Sequence, residues 1–114
     1  MIPKTNNVYG QIVAPDGLRP VHAAIEKLLG PGCASIFRAR TLNPDEMLRV
    51  LTDVADLQSL PLPGGMEHLF NGAVGGSAAE VVTFVQRLSD ALAEAKVEHS
   101  FEIHDGRQVV RSLP

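Results

Sequence analysis

The sequence predicts an α/β fold: a single domain over residues 1–114, with one mixed sheet of four to five strands packed by three helices. The sheet is expected to be parallel early and to end in an antiparallel hairpin. Three observations carry this. Apolar residues recur at helical spacing after Pro20, after Pro44 and after Ser77. Short apolar runs at residues 8–14, 33–40 and 66–74 precede those segments, which is the strand–helix alternation of a parallel sheet. Asp105-Gly106 then divides the last apolar run, as a two-residue hairpin turn would.

Each element follows from local chemistry. Residues 8–14 read as a strand closed by the turn residues Pro15-Asp16-Gly17. Pro20 suits the first turn of a helix whose buried stripe is Val21, Ala24, Ile25, Leu28 and Leu29. Gly30-Pro31-Gly32 stops that helix. Residues 33–40 form the second strand. Asn43-Pro44-Asp45-Glu46 then has the form of a capped helix start, and Leu48, Leu51, Val54, Ala55 and Leu57 fit one helical face. Residues 60–65, Leu-Pro-Leu-Pro-Gly-Gly, read as a surface crossing, and residues 66–74 as either a short strand, the favoured reading, or a single helical turn at Glu67–Phe70. The longest helix runs from Ser77 to about Lys96, with Val81, Phe84, Val85, Leu88, Leu92 and Ala95 inward. In the final hairpin, residues 99–112, Phe101 is expected to face Val110, with Glu102 diagonal to Arg111. There is no internal repeat.

Composition narrows the function classes. The chain is 45% apolar and 20% charged, near the average for soluble globular domains. Its formal charge is −3, from 10 basic and 13 acidic side chains, without a basic run. That argues against nucleic acid as a partner, because a nucleic-acid binder needs concentrated positive charge. Cys33 is the lone cysteine, which excludes an intrachain disulfide and a CxxC site. No secretion signal and no membrane-spanning apolar stretch is legible, so a cytoplasmic location is expected.

Few residues suggest chemistry. Gly72, Gly75, Gly76 and Ser77 precede the long helix, and two readings stay open. Ser77-Ala-Ala-Glu80 fits a capping box with glycines as a hinge, the favoured reading. The alternative is an anion nest of free amides at the helix start. Arg38 and Arg40 share a strand face by the period of two, and parallel strands would bring them to the same sheet end as the Gly72–Ser77 loop. Glu102 and His104 share a face and form a weak acid–base candidate at a wet hairpin. The histidines lack zinc-site spacing, so no metal and no cofactor is expected. No nucleophile signature is present.

The leading expectation is therefore a non-catalytic protein-binding module, such as a bacterial immunity- or inhibitor-type or accessory protein. Its partner would be another protein or a second copy of itself. The alternative is a small-molecule or anion-binding domain, or a modest enzyme, built on Arg38, Arg40 and the Gly72–Ser77 loop.

Overall fold

The N-terminal strand sets the pattern for the whole molecule. In β1, Val8–Val13, Val8, Gly10 and Ile12 are buried while Tyr9 is exposed, the alternation of a sheet with one covered face. The structure, a computed structural model, describes residues 2–38, 46–105 and 108–113. After β1 come α1 (Arg19–Leu29), β2 (Ala34–Arg38), β3 (Glu46–Leu51), β4 (Ala55–Pro61), β5 (Glu67–Val74), α2 (Ala78–Glu94), β6 (Glu98–Asp105) and β7 (Gln108–Leu113).

The expected mixed sheet of four to five strands with early parallel pairing is not what forms. The strands make one seven-stranded sheet, ordered β2-β3-β4-β5-β1-β6-β7 and antiparallel at every pair. Among the described residues two helices, not three, pack against it. The error lies at residues 46–61. Leu48 and Val50, then Ala55, Leu57 and Ser59, are buried at a spacing of two. The helical spacing of Leu48, Leu51, Val54 and Leu57 is real in the sequence, but Leu51 and Val54 are exposed. Thr52 reverses the chain between them. Its Oγ1 accepts from the amides of Val54 (3.1 Å) and Ala55 (3.0 Å), and its own amide donates to the Ala55 carbonyl (2.8 Å). A threonine hydroxyl that satisfies amides two and three residues ahead competes directly with helix formation. The expected cap at Asn43 and Pro44 lies outside the described residues.

That extra hairpin changes everything downstream in the topology. With β3 and β4 inserted, β1 pairs with β5 and β6, not with β2. Pro61, expected in a crossing, closes β4 opposite His68. Two residues earlier in β4 the buried Ser59 hydroxyl accepts the Leu48 amide of β3 at 2.7 Å.

The other elements stand close to where the sequence put them. In α1, Pro20 lies in the first turn and Val21, Ala24 and Ile25 are buried. α2 buries Val81, Val85, Leu88, Ser89 and Leu92, with Phe84 partly buried; Ala95 is exposed. Residues 67–74 are a strand as expected. The terminal hairpin is also present, but Phe101 faces Leu113 and Glu102 faces Ser112, not Val110 and Arg111. The shift of three residues has two local causes: Asp105 continues β6 opposite Gln108 and does not lie in the expected turn, which moves the pairing by two, and a bulge adds one. Ile103 pairs with Arg111 and His104 with Val109, so Val110 is an extra, bulged residue. Gly106, the second residue of the expected turn, and Arg107 lie outside the described residues.

The core lies between the helices and one sheet face. Val8, Ile12, Leu48, Leu57, Phe70 and Phe101 meet Val21, Ile25, Val85, Leu88 and Leu92 there. α1 packs on α2 and over β2, and α2 packs over β6 and β7. Neither helix covers the opposite face. Sheet spacing is tight enough at Gly72 to require glycine: a Cβ there would collide with the Asp56 carbonyl and with Leu57.

Candidate functional site

The residues singled out in the sequence fall at two separate places. Arg38 ends β2 at the sheet edge, exposed, with its guanidinium 3.2 Å from Glu46. Arg40 lies outside the described residues. Gly72 is not in a loop; it sits within β5 between Val8 and Leu57. Because β5 runs antiparallel to β1, its end lies beside the start of β1, whereas β2 runs with β1 and ends at the opposite edge of the sheet. Antiparallel pairing thus separates Arg38 from Gly72–Ser77. A hollow of about 580 Å³ beside Arg38, Arg19 and His22 shares no residue with one of about 370 Å³ beside Gly75, Glu80 and Arg87.

At the start of α2 the amides of Gly75, Ser77 and Glu80 have partners within the protein. Gly75 donates to the Val54 carbonyl at 2.7 Å. Ser77 donates to Glu80 Oε1 (2.9 Å), and Glu80 donates to Ser77 Oγ (3.2 Å), the reciprocal capping box read from the sequence. Gly76, at φ +114°, makes the sharp entry that other residues resist. The Ser77 amide, by its bond to the carboxylate, holds the Glu80 carboxyl below the usual range. A negative charge therefore occupies the place an anion would take.

The histidines do separate structural work. His22 Nε2 bonds the Ala34 carbonyl at 2.9 Å, tying α1 to the edge strand. His99 Nε2 lies 2.7 Å from Ser89 Oγ, and its Nδ1 lies 2.8 Å from the Val97 carbonyl. A carbonyl only accepts, so Nδ1 carries the proton and Ser89 donates to Nε2. That is the geometry of a nucleophile and its base, which the sequence did not reveal. Ser89 is only 7% exposed, and neither residue lines the hollows beside Arg38 or Gly75. The pair satisfies a buried hydroxyl and joins α2 to β6. Cys33 Sγ donates to the Gly30 carbonyl at 2.9 Å, and burial pushes its thiol up, away from a reactive thiolate. Among the described residues no group of three metal-ligating side chains comes together.

The surface with most character is the uncovered sheet face. Register places Glu67, Val13 and Glu98 in one row across β5, β1 and β6. The next two rows carry Leu60, Leu69, Gln11 and Ser100, then Gln58, Asn71, Tyr9 and Glu102. Leu60 is 52% exposed and Tyr9 40%. Arg49, on the same face, is bonded twice to Asp56, at 3.1 and 3.0 Å. Glu67 accepts from Gln11 at 2.9 Å, and Glu102 Oε1 lies 3.1 Å from His104 Nε2. No lysine or arginine among the described residues is paired with Glu67, Glu98 or Glu102. Three acids thus share one side of this face, beside Leu60 and Leu69. The alternation in residues 8–13 and 98–104 announces these outward positions, but only strand order brings them together.

The chain was compared with protein-family models, with curated proteins and with solved structures, and nothing matches in any of the three.

Proposed function

We propose that the protein is a non-catalytic binding module whose uncovered sheet face docks a basic surface of another protein. One observation carries the reading: Leu60 and Tyr9 lie exposed and Leu69 partly exposed next to Glu67, Glu98 and Glu102, none of which is paired with a lysine or arginine among the described residues. An apolar centre with a charged margin is the anatomy of a protein interface. Uncompensated carboxylates favour a partner of opposite charge and steer its approach. A second copy of this chain fits less well, because it carries the same formal charge of −3. An inhibitor- or immunity-type protein of a bacterial cytoplasm is one class that would use such a face. The lone, partly buried Cys33 suits a reducing compartment. No described helix is long and apolar enough to cross a membrane.

The test is affinity retention with variants on the two sides of the sheet. A protein retained by the wild type should be lost with Leu60→Arg and with the Glu67→Lys/Glu98→Lys pair. It should remain with Arg87→Ser, whose change lies on α2. Equal retention by all of these contradicts the proposal.

A further inference from the structure

Resting on that docking reading, we propose that Tyr9 and Glu102 are its anchor and that the group they take is an arginine side chain of the partner. The two residues are directly opposed on β1 and β6. Their Cβ atoms are therefore about 4.5–5.5 Å apart on one face. The Tyr9 ring is held rather than loose: its hydroxyl donates to the Asn6 carbonyl at 3.2 Å, and His104 meets it edge-on at 4.8 Å between centroids. The same histidine fixes the acid. A carboxylate only accepts, so His104 Nε2 carries the proton that bonds Glu102 Oε1 at 3.1 Å. No bond to Glu102 Oε2 is present among the described residues.

Among the described residues no lysine or arginine is paired with Glu102. On the β5 side Tyr9 faces Asn71, whose Oδ1 accepts the Gly10 amide at 3.1 Å; on the β7 side Glu102 faces Ser112. Glu67 and Glu98 lie along the same face and add attraction at longer range. A half-exposed aromatic ring beside a pinned carboxylate matches a guanidinium better than an ammonium. The guanidinium is planar, stacks on the ring and donates sideways to the acid, whereas an ammonium is a compact, strongly hydrated point charge.

The experiment is an NMR titration of the protein with blocked oligo-arginine and oligo-lysine peptides of equal length. The arginine peptide should bind about two- to fivefold more tightly and should shift the Tyr9 ring and the Glu102 carboxyl carbon. Tyr9→Leu and Glu102→Gln should each remove that preference, Tyr9→Phe should keep it, and Glu98→Gln should weaken both peptides alike. Equal binding centred on Glu67 and Glu98 overturns the anchor and leaves the acidic docking face standing. No shift on this face with either peptide overturns both.

Discussion

Ser77 and Glu80 close the start of α2 with two reciprocal bonds, and each bond supplies a test. Ser77→Ala removes the acceptor for the Glu80 amide and should lower stability by about 0.5–2 kcal/mol, read from denaturant midpoints at unchanged slope. The Glu80 carboxyl titrates lower in the folded protein than its ordinary value of 4.5, because the Ser77 amide bonds the charged form. The unfolded chain therefore binds the proton more readily. The bond's contribution is whole above the ordinary carboxylate range and is lost as pH falls through the folded value. Glu80→Gln should flatten the acid side of the stability profile relative to wild type; unchanged curvature would show that the carboxylate does not hold this helix end. At Gly72 the constraint is space. Gly72→Ala should cost about 1–3 kcal/mol or more, because the new Cβ meets the Asp56 backbone, which cannot swing aside. A melting temperature equal to wild type would show that β4 and β5 are not this closely paired.

At the scale of elements, α2 offers a contrast between its two faces. Leu88 is fully buried and Arg87 exposed. Leu88→Ala should therefore cost about 2–5 kcal/mol and Arg87→Ala close to nothing. Thermal melts with equal losses would mean that the wrong face is buried. Helices and terminal strands were legible for a shared reason: their signals are local. Pro20 before a buried stripe, the Ser77 box and the period-two run at 8–13 act within a turn or two of chain. The stretch 46–57 was misread because it satisfies two periods at once. Leu48, Leu51 and Leu57 fit a helix, and Leu48, Val50, Ala55 and Leu57 fit two strands. Thr52 decides between them through a hydroxyl bond visible only in three dimensions. The terminal hairpin shows the same limit on a smaller scale, since the pairing of Asp105 with Gln108 and one bulged residue, Val110, together moved its register.

At the scale of the molecule, the mistaken topology also misplaced the site. Parallel strands would have gathered Arg38 and the Gly72–Ser77 loop at one sheet end, and the antiparallel order sets them at opposite ends. The same order creates the acidic and apolar face, because Glu67, Glu98 and Glu102 become neighbours only when β5, β1 and β6 lie side by side. No local pattern contains that fact. If this face docks a basic surface, association should slow steeply with salt while dissociation changes less, since exposed charges act mainly on the encounter. The central claim is that the partner covers the bare sheet face and leaves the helices open. Carbodiimide labelling of carboxylates, read by mass spectrometry with and without the retained partner, tests it most directly. The account predicts protection of Glu67, Glu98 and Glu102, with Glu80, Asp90 and Glu94 labelled as before. Protection of the helix carboxylates with the three sheet carboxylates still labelled would contradict it.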